Sequence, residues 1–262
     1  MDNILSQSEV DALLSAYGEG TASKPFRTLP YVMKFATAGD TIWIDAGTYD
    51  SFVRIGTTET AGVNIDKDSI TLIGVDSGAT IIDPPGPKTQ SGLFAVYADT
   101  QTGLVIKNLA AAGAYNGIFF VNVDQSTITA DSASTVGLVG IYLINGSDTN
   151  TITNNITNSN SSNGIYLTNS QYNALTGNTS NSAVGSGIML FTGSNNNTVS
   201  GNSAGSNSDG IGLSGASRNT ISNNVMHERS FSVSGEPKIA CASVLSGRWS
   251  GKMNHTQCVR LW

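Results

Sequence analysis

Hydrophobic residues recur in one short pattern over the middle of the chain. A glycine, an isoleucine, a variable residue and a leucine or phenylalanine begin at Gly117, Gly140, Gly164, Gly187 and Gly210, so the pattern returns at a nearly fixed interval of about 23 residues. A fixed interval of this length is typical of repeat architectures, in which each repeat buries its hydrophobic residues against its neighbours.

A second hydrophobic position follows the last four of these tetrads. Ile152, Leu175, Val199 and Ile221 lie in the segments NTITNN, NALTGN, NTVSGN and NTISNN, and they keep the same interval. The hydrophobic runs are short, alternate with polar residues and are separated by Ser, Asn and Gly, which predicts short strands rather than helices. A repeat of this length with two or three such strands favours one coil of a parallel β-helix.

Equivalent residues of stacked coils lie about 4.8 Å apart. The isoleucines and leucines are therefore predicted to form interior columns. The recurrent asparagines Asn155, Asn178, Asn202 and Asn224 are predicted to stack at one corner of the coil. Asparagine tolerates left-handed backbone angles, and its amide can bond to the coils above and below.

The tetrads and the N-T-I-S-x-N segments resemble the right-handed parallel β-helix repeats of the NosD-like and carbohydrate-binding/sugar-hydrolase superfamily, over residues 26–226. The segment from Phe26 to Asp50 resembles the opening of such domains, with Gly39 to Ile42, Gly47 and Tyr49 in the matching positions. The resemblance implies an all-β fold, a right-handed parallel β-helix of about eight or nine coils with a short N-terminal helix. It implies no single function, because the superfamily includes lyases, hydrolases, epimerases and surface proteins.

The chain is predicted to have four parts: an amphipathic helix at 1–18, a linker at 19–25, the β-helix at 26–226, and a non-repeat tail or cap at 227–262. Residues 4–16 resemble the N-terminal peptide of flagellar motor switch proteins, which docks on a phosphorylated response regulator. That resemblance implies a docking face formed by Leu5, Ser6, Gln7, Glu9, Val10, Asp11, Leu13 and Leu14. Alternatively, the helix covers the open end of the β-helix, or the segment is an accidental join.

The tail contains none of the tetrads and differs in composition from the repeats. It holds His227, His255, Cys241 and Cys258, which are all the histidines and cysteines of the chain. The cysteine spacing is not that of a zinc motif, so no metal site is predicted, and a disulfide and two free thiols both remain open. We expect a poorly ordered tail rather than a folded cap.

Charge is scarce: charged residues make up 12% of the chain and the formal net charge is −6. No Lys or Arg lies between Lys107 and Arg218. Such a surface cannot neutralise many phosphates, which excludes nucleic acid as an expected partner. No apolar run is long enough to predict a transmembrane helix. No signal peptide is recognisable either, although the Ser/Thr/Asn-rich repeats suit an exported surface protein, so the compartment stays unassigned.

Candidate chemistry is weak in the central coils, which contain no His, Lys or Arg. Asp124 and Asp148 are one repeat interval apart and are predicted to stack, where two carboxylates can coordinate Ca²⁺. The favoured interpretation is two exposed turn aspartates, so no cofactor is predicted and calcium is only the alternative.

Hydroxyl side chains flank the second hydrophobic position and form a predicted glycan-binding surface, here called the threonine face. Its members are Thr127, Thr129, Thr151, Thr153, Thr176, Thr198, Ser200, Thr220 and Ser222. A regular uncharged surface of this kind suits a neutral glycan. The favoured alternative is that threonine simply suits exposed strand positions.

Three hypotheses of function follow. The first is a non-catalytic β-helix protein, either structural or glycan-binding. The second is a polysaccharide lyase, hydrolase or epimerase whose site lies among the charged residues of the first coils: Asp45, Asp50, Arg54, Asp66, Lys67, Asp83 and Lys88. The third is a response-regulator-binding protein that acts through residues 4–16. Catalysis is the less favoured of the first two.

Overall fold

The computed structural model describes residues 26–226, 231–234, 241–246, 249–250 and 258–261. The predicted helix at 1–18 and the linker at 19–25 lie outside the described residues. The described chain begins with one short helix, α1 (Leu29–Val32), which starts after Thr28 and has a proline in its first turn. Proline is tolerated there because the first helical N–H groups have no intrahelical acceptor.

Short strands wind into two long sheets and one short sheet, and almost every pairing is parallel. Sheet A has the order β1 (Thr41–Ile44), β5 (Thr71–Gly74), β8 (Val105–Lys107), β11 (Thr127–Thr129), β13 (Thr151–Thr153), β15 (Ala174–Thr176), β17 (Thr198–Ser200), β19 (Thr220–Val225), β21 (Cys241–Ser246) and β23 (Cys258–Leu261).

Sheet B runs beside it and contains the glycine tetrads. Its order is β3 (Val53–Ile55), β4 (Glu59–Ile65), β7 (Leu93–Asp99), β10 (Asn116–Val121), β12 (Ile141–Ile144), β14 (Ile165–Thr168), β16 (Ser186–Phe191), β18 (Asp209–Ser214), β20 (Phe231–Ser234) and β22 (Trp249–Ser250). The β3–β4 pair is antiparallel. Sheet C contains β2 (Gly47–Tyr49), β6 (Thr80–Ile82) and β9 (Ala110–Ala111), and isolated parallel bridges continue it from Ala110 to Val225.

The hydrophobic repeat forms the interior, as the sequence predicts. In sheet A, Ile106, Ile128 and Ile152 are register partners on successive strands. In sheet B, the tetrad residues Ile141 and Ile165 pair in the same way. All five side chains are fully buried. No single coil could bury such residues alone, so the stack itself provides the core.

The tetrad glycines are required by the close approach of successive coils. A Cβ atom at Gly140 would lie 2.7 Å from the carbonyl oxygen of Gly164, and one at Gly164 would lie 2.7 Å from the carbonyl oxygen of Gly187. Real Cβ atoms essentially never approach a backbone oxygen this closely. The repeat therefore needs glycine at this position for steric reasons rather than for a turn.

Regular coils number six, between Leu93 and Val225, and each contributes one strand to sheet A and one to sheet B. Before them the spacing is longer, because Thr41 pairs with Thr71 and Thr71 pairs with Val105, both beyond the interval of the tetrads. The prediction of eight or nine coils of one regular length is therefore too high. The right-handed parallel β-helix itself is confirmed.

The predicted asparagine stack exists, and we call Asn155, Asn178, Asn202 and Asn224 the asparagine ladder. All four are buried, and the Nδ2 group of Asn155 donates to the Oδ1 atom of Asn178 at 3.0 Å. The expectation about backbone angles is wrong by one position. The left-handed residues are those immediately before the ladder: Asn154 (φ 56°), Gly177 (φ 68°), Gly201 (φ 67°) and Asn223 (φ 55°).

Beyond Met226 the structure describes four strands, and all of them extend the two long sheets in parallel. β21 pairs with β19, and β23 pairs with β21. β20 and β22 continue sheet B in the same way. The predicted tail or cap at 227–262 otherwise lies outside the described residues and stays a prediction. Among the described residues no helix is long and apolar enough to cross a membrane.

Candidate functional site

Aromatic residues form a continuous row on the outer face of sheet B. Tyr97, Phe119, Tyr142 and Tyr166 are register partners on β7, β10, β12 and β14, and we call them the aromatic column. Each one lies between two buried residues of its own strand, so it points away from the interior. The column therefore runs along the axis of the β-helix over four successive coils.

Neighbouring rings of the column contact one another. The ring centroids of Tyr142 and Tyr166 are 4.8 Å apart, with an angle of 18° between the ring planes. The two rings are therefore stacked and nearly parallel. Phe119 continues the row at 5.1 Å from Tyr142. The ring of Phe119 is tilted by 55° to that of Tyr142, and the side chains of Phe119, Tyr142 and Tyr166 are half-buried, so part of each is exposed to solvent.

The N-terminal end of the column is covered. Phe94 stacks on Phe119 with ring centroids 4.7 Å apart, and Val53 and Ile55 of the antiparallel strand β3 pack against this group. Tyr97 is only 8% exposed for that reason. The accessible part of the column is thus the stretch from Phe119 to Tyr166.

Tyrosine hydroxyls in the column stay protonated over a wide pH range. Burial, with Asp99 as a second cause, raises the pKa of Tyr97 to about 12. Burial and the neighbouring Tyr166 raise the pKa of Tyr142 to about 12. These phenols therefore act as neutral hydrogen-bond donors beside an apolar ring surface.

Electrostatic character changes along this face. Asp99 ends strand β7, and its register partners on the next strands are Val121, Ile144, Thr168 and Phe191. The flank of the column is thus acidic only at its covered end and uncharged beside Tyr142 and Tyr166. Phe191 is 37% exposed, and its ring centroid lies 6.0 Å from that of Tyr166, so it extends the apolar surface.

A cleft of about 300 Å³ lies beyond the covered end. It is lined by Pro30, Met33, Lys34, Val53, Asn64, Asp66 and Lys67. Asn64 is the register partner of Tyr97, so the cleft lies on the line of the column. The Lys67 ammonium group donates to Asp66 at 2.6 Å and to the carbonyl of Met33 at 3.0 Å, which leaves it largely neutralised.

The threonine face lies on sheet A, away from the aromatic column. Thr127, Thr151, Thr198 and Thr220 occupy one outward row, with Ala174 in the middle of it. Thr129, Thr153, Thr176, Ser200 and Ser222 occupy the second row. The predicted stacking is present, but the Thr153 hydroxyl already donates to the carbonyl of Thr176 at 3.0 Å. Binding of glycan to this face stays a prediction.

Asp124 and Asp148 belong to a turn that is bonded from coil to coil. The carboxylate of Asp124 accepts the backbone N–H of Asp148 at 2.8 Å, and that of Asp148 accepts the N–H of Gln171 at 2.6 Å. The two aspartates thus occupy neighbouring coils, and one oxygen of each satisfies a backbone group. Calcium binding at this pair stays the untested alternative.

Charged residues of the first coils are divided between different faces. Arg54 lies on β3 of sheet B, and Asp66 and Lys67 follow β4 in the same sheet. Asp45, Asp50 and Asp83 instead flank the strands of sheet C. Lys88 is at another position, where its ammonium group donates to the carbonyl of Thr135 at 2.8 Å. The response-regulator face at residues 4–16 lies outside the described residues.

Sequence reasoning missed the aromatic column, although a signal was present. The variable third residue of the first three tetrads is aromatic each time, as Phe119, Tyr142 and Tyr166. Recognising it required knowing that this position points outward and that the coils are in register.

The winding of three parallel sheets around one hydrophobic interior defines the protein as a right-handed parallel β-helix. The sequence profile of the family described as "Periplasmic copper-binding protein (NosD)" matches residues 37–253. The chain therefore belongs to the NosD family. No curated protein sequence matches it.

Several solved structures share the fold at low sequence identity. The periplasmic alginate epimerase AlgG is 18% identical, with a TM-score of 0.62 over 86% of this chain and 60% of that one. Pectate lyase Pel9A is 16% identical, with a TM-score of 0.62 over 86% of this chain and 64% of that one. ORF18 of Geobacillus virus E2 is 13% identical, with a TM-score of 0.65 over 97% of this chain and 62% of that one. The chain thus spans less than two thirds of each of these proteins.

The copper of the family description requires soft donors, which in proteins are mainly Cys, Met and His. In the part of the chain that the structure describes, no group of three or more His, Cys, Asp or Glu side chains could hold a metal ion. His227 and His255 lie outside the described residues, and only the backbone of Cys241 and Cys258 is described. The described side chains therefore do not fit a copper centre.

Proposed function

We propose that this protein is a non-catalytic glycan-binding module that holds a neutral polysaccharide along the aromatic column. The observation that carries the proposal is the row of half-buried aromatic rings from Phe119 to Tyr166, with Phe191 beside it. A pyranose ring presents a flat face of C–H groups, which packs on an aromatic ring, and a rim of hydroxyls, which bonds to polar neighbours.

The repeat distance supports an extended chain lying along the axis. Successive rings are separated by one coil, about 4.8 Å. An extended glycan advances by a similar distance for each sugar, so consecutive sugars can meet consecutive rings. The protonated hydroxyls of Tyr142 and Tyr166 supply donors at the same spacing.

Charge supports a neutral ligand over a polyuronate. The surface beside Tyr142 and Tyr166 carries Ile144 and Thr168 and no ionised group, whereas the carboxylate of Asp99 lies at the covered end. A polyuronate bound here would bring one carboxylate for each sugar onto a face with no cation to pair with it.

Binding of the full chain to neutral and acidic oligosaccharides tests the proposal. We expect a linear neutral oligosaccharide such as cellohexaose or mannohexaose to bind, and oligogalacturonate and oligoalginate to bind at least about tenfold more weakly. The double variant Tyr142→Ala/Tyr166→Ala should lose at least about tenfold in affinity by calorimetry.

The matched control is Thr151→Ala/Thr198→Ala on the threonine face, which should leave binding unchanged. Loss of binding in the control alone would move the site to the threonine face. Appearance of new chain ends during incubation would instead identify an enzyme, and the charged residues of the first coils would then be tested. Absence of binding to every glycan refutes the proposal and leaves a structural role.

A further inference from the structure

The asparagine ladder ends in a carboxyl group. Within the ladder, the backbone N–H of Asn155 donates to the Oδ1 atom of Asn178 at 3.0 Å. One coil earlier, Asp131 takes the same position: its N–H donates to the Oδ1 atom of Asn155 at 3.0 Å, and its own Oδ1 atom accepts the N–H of Leu109 at 2.9 Å. Leu109 has no polar side chain, so Asp131 is the terminal member of the row.

One link of the ladder is missing at this terminal member. Each ladder asparagine uses its Nδ2 group to donate to a carbonyl of the preceding coil, as in Asn155 to Ile128 at 2.9 Å and Asn178 to Ile152 at 2.8 Å. Asp131 has the Oδ2 atom in place of Nδ2. Among the described residues, this is the buried side-chain polar atom that has no hydrogen-bond partner.

The acceptor that corresponds to Ile128 and Ile152 one coil earlier is the carbonyl of Ile106, since Ile106 is the register partner of Ile128. If Oδ2 were ionised, a negatively charged oxygen would lie against the carbonyl oxygen of Ile106, and neither oxygen could donate a hydrogen bond to the other. A buried charge of this kind is costly unless it is paired. A proton on Oδ2 removes that cost by supplying the donor.

We propose that Asp131 is protonated in the folded protein at neutral pH, and that its carboxylic O–H takes the place of the ladder amide by donating to the carbonyl of Ile106. Asp131 is 1% exposed. Burial raises its pKa to about 8, although the backbone N–H groups of Leu109 and Thr129 act in the opposite direction. The side chains of Leu109, Thr129 and Asn155 around it are uncharged, and Lys107 on the adjacent strand β8 is exposed.

Protonation makes the stability of the β-helix depend on pH in a defined range. An aspartate in the unfolded chain titrates near about 4. Between that value and about 8, the folded protein therefore holds one more proton than the unfolded chain at this site. As the pH rises through that range, this group alone lowers the folding equilibrium constant by about tenfold for each pH unit. Above a pH of about 8 its effect is constant.

The variant Asp131→Asn in the full chain tests the proposal, because asparagine completes the ladder without a titratable group. We expect its thermal midpoint to exceed that of the wild type at pH 8, and the difference to shrink steadily towards pH 5. Asp124→Asn, which removes a half-buried turn carboxylate, should keep the wild-type dependence on pH. An Asp131→Asn protein that follows the wild type across this range, or that is less stable at pH 8, contradicts the proposal.

A measurement on the wild-type protein covers the case in which the variant does not fold. Infrared spectroscopy in D₂O distinguishes the C=O stretch of a protonated carboxylic acid from that of a carboxylate. At pH 6 the exposed aspartates and glutamates are ionised, so one buried carboxylic acid should give the remaining acid band, which disappears as the pH rises through about 8. A spectrum without that band at pH 6 means that Asp131 is ionised, and the proposal is then wrong.

Discussion

The backbone N–H groups in the turns find different hydrogen-bond acceptors in the first coils and in the six regular coils. In the first coils two aspartates bond within their own turns, since Asp76 accepts the N–H groups of Gly78 and Ala79 and Asp40 accepts that of Thr37, whereas Asp68 accepts the N–H of Thr102 in the next coil. In the regular coils the capping group comes from the neighbouring coil, as when Asn197 accepts the N–H of Asn173 and Asn219 accepts that of Asn197.

This difference separates local from collective stability. A turn capped by its own aspartate is stable by itself and tolerates irregular neighbours, which suits the longer spacings at the start. A turn capped from the next coil is satisfied only while that coil is in place. The regular part therefore gains stability from being stacked, and the predictions below compare the two regions, beginning with the largest effect.

Replacing a tetrad glycine should have the largest effect. A Cβ atom at Gly187 would lie 2.6 Å from the Nδ2 atom of Asn207 and 2.8 Å from the carbonyl oxygen of Gly210. Gly187→Val must push two coils apart, so we expect a loss of at least about 3 kcal/mol, or no soluble folded protein. The thermal midpoint and the soluble yield measure this.

Gly201→Ala is the matched control, because Gly201 has a φ of +67° but nothing within 4 Å of an added Cβ. It should cost only about 1 kcal/mol, which is the strain of a left-handed alanine. Equal losses in the two variants would mean that coil contact is not what the tetrad glycine provides.

Removing a ladder amide should have an intermediate effect. Asn178→Ala leaves the buried N–H of Asn155 without its Oδ1 acceptor and removes the amide donor to the carbonyl of Ile152. We expect a loss of about 3 kcal/mol in the free energy of unfolding, measured by denaturant titration. Asp76→Ala in the first coils should cost only about 1 kcal/mol, because water replaces the exposed cap. A reversed order would show that the local caps, and not the ladder, dominate the stability.

Removing a charge from the first coils should have the smallest effect. The ion pair of Asp66 and Lys67 has an N–O distance of 2.6 Å, but the Asp66 side chain is 57% exposed. Asp66→Asn is expected to change stability by at most about 0.5 kcal/mol, and by less in high salt. A loss comparable to that of Asn178→Ala would place the stabilising polar groups in the first coils.

The regular coils were predictable from sequence because the same hydrophobic pattern occurs in every repeat, so that each repeat supports the strand positions inferred from the others. Ile128, Ile152 and Leu175 recur in phase, and the structure places them in one buried column. The first coils do not repeat the tetrad pattern. The segment with Pro84, Pro85 and Pro87 also lengthens the chain between strands without a periodic hydrophobic pattern. Their longer spacing could therefore not be counted in advance.

Candidate surfaces were less predictable, for a physical reason. The repeat interval in the sequence indicates which residues occupy equivalent positions in successive coils, and the threonine rows were identified for that reason. It does not report ring contacts or partial burial, which distinguish the aromatic column from an ordinary exposed row. Asp131 was equally hidden, because its carboxyl differs from the ladder amide by one atom group, and only the buried Oδ2 atom without a hydrogen-bond partner reveals the difference.

The nearly constant length of chain between register partners in the regular coils has a consequence for how the protein folds. Closing a loop costs conformational entropy that depends on loop length, so each regular coil is added at nearly the same cost as the one before it. Only the first pair of coils forms without a completed edge to bind to. Folding should therefore have one slow start followed by uniform growth, and the place where the chain first closes a coil sets the rate for the whole molecule.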